Sequence, residues 1–328
     1  MRITIKDIAN ACGVSAGTVD RALNNRAGIS EKTRQKVMKA AEEMNYLPDL
    51  NARSLVVGKT MTIGVVLFDL YNRSFAQLMN AIEKRAREMG YFTYITLTDK
   101  DPDKEKKCIE YLVNRKVDGI ILLTVNSGSE FKAYLEKLNT PFVMVFNKIE
   151  ENQYIGVQER KAMKEAVDYI VSKGYKRFIY ISPPLAYKET SNIFTQEERY
   201  YGFMEGLKAN GIDEEPNIII DSDYIGKLRE YHFSKEYKTA IVCSTDLYAL
   251  EVMSFLKGEN VSIPDQAGVM GYDDIDVLKY VSPRLTTIRY PIAEIGEKAV
   301  ESLINKVNNG EYLSVPLLHY KLIKGESI

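Results

Sequence analysis

The sequence predicts a small three-helix head, a short hinge, and an α/β body of two doubly wound parallel-sheet lobes. Three observations carry this. Two short apolar helical faces near the N-terminus are separated by a single glycine. From Met61 onward, strand-sized apolar runs alternate with amphipathic stretches, the signature of parallel sheets covered on both faces. Those runs are TIGVVLF, FTYITL, GIILL, FVMVF, RFIYIS, AIVCS and AGVMGY, too many for one small sheet.

The head begins at Thr4, which is placed to cap a first helix with Asp7 three residues on, in capping-box spacing. Ile8 and Ala11 supply its apolar face, and Gly13 supplies a break. Ser15 caps a second helix in which Val19, Ala22 and Leu23 point inward. Its opposite face carries Gly17, Asp20, Arg21 and Asn24, at the spacing of a helix laid in the DNA major groove. A third helix is expected from Ser30 to Asn45, with Val37, Ala40, Ala41 and Met44 inside and Pro48 ending it. In the body, helices are expected over Phe75–Met89, Lys104–Arg115 and Arg160–Lys173.

Composition narrows the function. The 328 residues carry a formal net charge of −1, but residues 1–60 hold ten Lys/Arg against six Asp/Glu. A basic head on an acidic body fits DNA binding by the head. Cys12, Cys108 and Cys243 have no metal or redox spacing and read as reduced thiols. No phosphate-binding glycine loop is present, and His232 and His319 lie in no catalytic motif, which disfavours an enzyme; neither cofactor nor metal is expected. The N-terminus runs straight into a polar helix and no apolar run is long enough to span a bilayer. A cytoplasmic protein without membrane attachment is expected, not a periplasmic binding protein.

The segments IKDIA, GVS, TV, RALNN, Tyr46-Leu47-Pro48 and ARSL (Ala52 to Leu55), in this order, resemble the lactose/galactose repressor family. PRLTTIRYPIAEIGEKAVESLI resembles the same family's return crossover and the helix after it. The resemblance implies a DNA-binding domain over 1–48, a hinge over 49–59, and a body over 60–328 of the periplasmic-binding-protein type. The first lobe would comprise about 60–155 and 292–317, and the second about 156–288 and 318–328. It also implies a ligand-responsive regulator, a repressor of sugar or polyol utilisation, acting as a homodimer on a pseudo-palindromic double-stranded operator. The C-terminus carries no leucine heptads, which argues against a tail-mediated tetramer.

On that resemblance, Thr4, Lys6, Ser15, Thr18 and Asn24 meet phosphates, while Ala16, Gly17 and Arg21 read bases. Gly17 has no side chain and Ala16 only a methyl, so Arg21 is the main hydrogen-bonding reader. Asp20 stands where most relatives carry serine; it either accepts from a cytosine amino group or faces solvent. Leu55 would wedge into a minor-groove step, with Ala52 letting paired hinge helices approach.

An open α/β crevice collects its ligand at the carboxyl ends of the strands. The residues there are Asp69, Asn72 and Phe75, then Asn147, Arg199, Asp246 and Asp273, with Tyr224 where relatives stack an aromatic. Asp246 has two open readings, a ligand contact or the cap of a helix starting at Leu247. The set suits a neutral polyhydroxylated effector such as a monosaccharide or polyol. Relatives that bind a purine use the same positions, so a co-repressing nucleobase stays open, as does regulation by a protein partner. Gln158 and Glu159 stand where many relatives show Asp-Asn.

Overall fold

A computed structural model describes residues 3–47, 58–149, 153–182, 192–234 and 236–328. The chain divides into two compact units, Met1–Thr60 and Met61–Ile328.

The first unit holds α1 (Ile5–Cys12), α2 (Ala16–Leu23) and α3 (Glu31–Glu43). Local chemistry sets the ends of all three. Thr4 and Asp7 form a full capping box, and Ser15 and Ser30 accept from the backbone N–H groups of Thr18 and Thr33. Gly13 takes φ 63°, a left-handed conformation that only glycine adopts without strain, and so turns α1 into α2. Ile8, Ala9, Cys12, Val19, Ala22, Val37 and Ala41 form the core. Ala11, expected inside, is exposed; the inward face of α1 runs through Ala9 and Cys12, and α3 packs there. Two cations of α3 finish the packing: Lys36 Nζ donates to Cys12 O at the end of α1 at 2.8 Å, and Arg34 donates to Ala22 O near the end of α2 at 3.4 Å and to Arg26 O in the loop beyond it at 3.0 Å. Pro48, Ala52 and Leu55 lie outside the described residues.

The second unit contains two parallel sheets. The first has order β2-β1-β3-β4-β5, comprising β1 (Thr62–Leu67), β2 (Phe92–Leu97), β3 (Gly119–Leu122), β4 (Phe142–Val145) and β5 (Tyr154–Ile155). Around it lie α4 (Arg73–Glu88), α5 (Pro102–Asn114) and α6 (Gly128–Lys137). The second has order β7-β6-β8-β9, comprising β6 (Arg177–Ser182), β7 (Asn217–Ile220), β8 (Thr239–Cys243) and β9 (Ala267–Met270). Its helices are α7 (Glu159–Ser172), α8 (Phe194–Ala209), α9 (Tyr224–Arg229) and α10 (Asp246–Gly258). Central strands are buried on both faces and read as continuous apolar runs, as helix-covered parallel strands must. The short edge strand β7 escapes notice in the sequence, because three isoleucines after Pro216 show no alternation.

Three crossovers join the lobes. The first runs through Gly156–Gln158 into α7, where Val157 bridges to Leu318. β10 (Thr287–Arg289) then pairs antiparallel with β11 (Lys321–Ile323), and α11 (Ile292–Asn309) returns to pack on α4 and the first sheet. In the second lobe α7 and α8 lie unusually close. A Cβ on Gly202 would strike Arg160 O, and one on Gly206 would stand 2.7 Å from Val167 Cβ. This approach presses Arg199, on α8, against Glu159, on α7.

Candidate DNA-reading face and ligand cleft

Exposed on α2 are Ala16, Gly17, Arg21 and Asn24, on the face opposite the buried Val19 and Ala22. Ser15 is exposed and Thr18 half-buried, their hydroxyls 2.9 Å apart. Thr4 bonds Asp7, and Lys6 is exposed on α1. The Arg21 side chain has no ion pair among the described residues. Asp20 is occupied within the head: it accepts from Asn24 Nδ2 at 2.9 Å and from Arg26 Nη1 at 3.1 Å. A carboxylate that would repel phosphate is thereby partly neutralised and tied to two neighbours.

Between the two lobes lies a cavity of about 310 Å³. One wall comes from loops following β1 and β4 and from the start of α4: Phe68, Asp69, Asn72, Phe75, Phe146 and Asn147. The other comes from α8, the first turn of α10 and the loop following β9: Thr195, Gln196, Arg199, Tyr248 and Asp273, with Tyr290 from the crossover. All stand at carboxyl ends of strands or on the segments that follow them, the crevice expected of open α/β sheets. Phe68 packs edge-on against Phe75 and Phe146 against Tyr290, each pair with centroids 5.7 Å apart.

Six of the eight expected ligand residues line this cavity: Asp69, Asn72, Phe75, Asn147, Arg199 and Asp273. Tyr224 and Asp246 do not. Tyr224 is buried behind the wall, bonding Glu251 and meeting the Tyr248 ring edge-on at 4.9 Å, so Tyr248 is the aromatic that reaches the cleft. Asp246 is fully buried and does not cap its helix. Its Oδ2 accepts from Ile275 N at 2.9 Å and its Oδ1 from Thr287 Oγ1 at 2.6 Å, bracing the loop that presents Asp273. Burial pushes its pKa up to about 6, against the pull of those hydrogen bonds.

Asn147 lines the cavity with its amide already engaged. Nδ2 donates to Thr124 O at 3.0 Å and Asn192 O at 3.1 Å, and Oδ1 accepts from Thr195 N at 3.3 Å. It stitches loops of the first lobe to the start of α8. Asn72 Oδ1 caps α4, and Asp69 Oδ1 holds the preceding turn through Tyr71 N.

Arg199 is the chemical centre. It is 3% exposed, its Nε bonds Glu159 Oε2 at 2.9 Å, and its Nη1 bonds Ser244 O at 2.7 Å. Asp273 Oδ1 lies 3.7 Å from Nη1, and the Tyr272 ring lies 3.7 Å beneath the guanidinium. Burial opposes the charge, but Glu159, Tyr272 and Asp273 outweigh it and hold the pKa well above the ordinary value. Asp273 shifts in the same direction, which in a carboxyl favours the neutral form. Burial raises it well above the carboxylate range, although Arg199 and the Tyr290 hydroxyl, 3.0 Å away, pull it down. One buried cation faces two buried carboxylates, and the nearer one takes most of the pairing. Asp273 also has φ 124° and Phe146 φ 63°, strained conformations for non-glycine residues that gather at this cavity.

Glu159, Tyr248, Tyr290 and Thr195 were not anticipated as site residues. Glu159 had a signal, the departure at GVQER; Tyr248 sits one helical turn past a strand end and carried none.

Among the described residues no helix is long and apolar enough to cross a membrane, and no group of three His, Cys, Asp or Glu could hold a metal. A helix-turn-helix head and a two-lobed body around a polar, aromatic-walled cavity define a DNA-binding regulator that responds to a ligand. The family described as bacterial regulatory proteins, lacI family, matches residues 4–49, and the periplasmic binding protein-like domain matches 167–328. The HTH-type transcriptional repressor PurR of Aliivibrio salmonicida is 30% identical over 93% of this chain and 92% of its own length. Catabolite control protein A of Priestia megaterium is 29% identical over 94% and 93%. A lac repressor dimer bound to operator and the anti-inducer ONPF superposes with a TM-score of 0.88 at 23% identity, covering 100% of this chain and 99% of that one. A periplasmic binding protein/LacI transcriptional regulator from Alkaliphilus metalliredigens, complexed with D-xylulofuranose, gives 0.69 at 28% identity over 81% and 98%. The chain belongs to the lacI family of bacterial regulatory proteins.

Proposed function

We propose that this protein is a cytoplasmic transcriptional repressor, not an enzyme, that binds a pseudo-palindromic operator as a homodimer and takes a monosaccharide or polyol in its interlobe cleft. On this reading residues 1–48 read DNA, 49–59 form the hinge with Leu55 as wedge, and 60–328 carry the effector. The observation that carries it is the cavity, where Arg199 and Asp273 converge between aromatic walls from both lobes. Its volume lies at the small end of the range for ligand pockets, which fits a single sugar ring. The sugar in the Alkaliphilus metalliredigens relative supports the same class. Self-association is supported by Phe92, Tyr94 and Ile95, which leave apolar surface exposed on the edge strand β2. Regulation requires the ligand to bind one arrangement of the lobes more tightly than another.

A nucleobase is the second reading, favoured by Phe75, Phe146, Tyr248 and Tyr290, whose rings could enclose a planar base. A thermal-shift screen of monosaccharides, polyols, sugar phosphates and nucleobases separates the two. The binder raises the melting midpoint by mass action, and Arg199→Ala and Asp273→Asn abolish the rise. A hit surviving both variants overturns the site. Operator binding with and without the hit then distinguishes inducer from co-repressor.

A further inference from the structure

We propose that Glu159 is a positioning residue that sets the charge of the ligand the cleft accepts. By pairing with Arg199 from behind it takes up the charge of that buried cation, so the cleft takes uncharged ligands and rejects phosphorylated or carboxylate ones. The inference rests on the reading of the cavity as the effector site and specifies that ligand's class further.

The geometry separates the two jobs. Glu159 is 2% exposed and is absent from the cavity lining, whereas Arg199 lines it. The carboxylate approaches the guanidinium along its Nε edge, at 2.9 Å, with Oε1 3.5 Å from Nη2. Ser244 O takes Nη1. What remains for the cleft is one side of Nη2, enough to donate to a hydroxyl or carbonyl oxygen. A dianionic phosphate would need the whole fork and its charge, as bidentate arginine–phosphate recognition does. Asp69 adds a carboxylate to the lining against Lys100, and Asp273, raised by burial, adds an acidic group but no positive charge, so that with Glu159 against Arg199 the cleft carries no surplus of positive charge among the described residues. In a buried site without surplus positive charge, an incoming anion loses its hydration and gains no compensating attraction.

The test needs no knowledge of the effector and uses inorganic phosphate as probe, with sodium chloride at matched ionic strength as control. Thermal midpoints of the full chain are titrated for wild type, Glu159→Gln, and Glu159→Gln combined with Arg199→Gln. Glutamine keeps the hydrogen bond to Nε and removes only the charge. The wild type is expected to show no phosphate-specific rise. The Glu159→Gln variant should bind phosphate about tenfold or more tightly than wild type, and the double variant should lose that gain. Glu159→Asn serves as a second neutral variant should the first fold poorly, with the same gain expected. A folded neutral variant at 159 that gains nothing overturns the proposal. So does a wild-type phosphate response that disappears in Arg199→Gln. Failure of the neutral-ligand screen would instead strike the effector reading, and leaves this comparison able to report on Glu159 alone.

Discussion

Arg73 and Asp276 join the two lobes across the mouth of the cleft. Arg73 opens α4 on the first lobe, Asp276 opens a 3₁₀ turn (Asp276–Tyr280) on the second, and their two hydrogen bonds measure 3.0 and 2.7 Å. The hydrogen-bonded partners raise the pKa of Arg73 and lower that of Asp276. The pair is half-exposed, so its contribution is modest and salt-screened. Asp276→Asn should weaken effector binding by about two- to fivefold at low salt, and by less at high salt. Calorimetry at two ionic strengths checks this; an identical deficit at both would show that the pair does not act through its charge.

Base reading by α2 falls chiefly to one side chain, because Ala16 and Gly17 beside it offer no hydrogen-bonding side-chain group. Arg21→Ala should relax preference at one base pair per half-site, at a cost of about 1–3 kcal/mol per contact. Binding-site selection with both proteins measures it, and an unchanged consensus would rule Arg21 out as a reader.

Asp246 couples the second lobe to pH. In the unfolded chain an aspartate ionises near pH 4, whereas burial holds the folded group to about 6. The native state therefore binds the extra proton between those values. Its contribution to stability is complete below about pH 4 and is lost as pH rises through about 6. In Asp246→Asn this component should vanish, while overall stability drops by about 1–3 kcal/mol because an amide cannot accept at both positions. Urea unfolding of both proteins at several pH values across the window gives the difference; parallel curves would exclude Asp246 as the titrating group.

The closeness of α7 and α8 can be probed at Gly202. A methyl group there has no room against Arg160 O, so Gly202→Ala should push the helices apart and cost about 1–3 kcal/mol. The same displacement loosens Arg199 from Glu159, so effector binding should fall more than the loss of stability alone explains. Calorimetry well below the melting midpoint separates the two effects, and intact affinity would show that α8 carries Arg199 independently of this contact.

Local chemistry was legible in the sequence. Thr4, Ser15 and Ser30 cap as their spacing predicts, because a cap depends on three or four consecutive residues. The seven apolar runs are strands; most are unbroken because burial on both faces demands it, while the exposed edge strand β2 shows itself through its β-branched and aromatic residues. Strand-end residues such as Asp69 and Asp273 reach the cavity, because the position of a crevice follows from sheet topology.

Legibility ended where two segments distant in sequence decide a side chain's surroundings. Tyr224 and Tyr248 are both tyrosines near element starts, and only the packing of α9 on α10 puts one in the wall and the other behind it. Asp246 stands at a strand end like Asp273, yet Thr287 and Ile275 turn it inward.

The ends of the body helices fell one or two residues from their expected places, but by itself the sequence determined the type of most elements, the caps of the head helices, the helix-turn-helix and most of the expected cleft residues. These follow from spacing and periodicity, which are properties of neighbouring positions. Only the tertiary structure decided that Glu159 backs Arg199, that Asn147 stitches rather than waits, and that Arg73 meets Asp276. Hydrogen bonds and buried charges act over a few ångströms, and nothing local records that residues 40 or 203 positions apart come within that range.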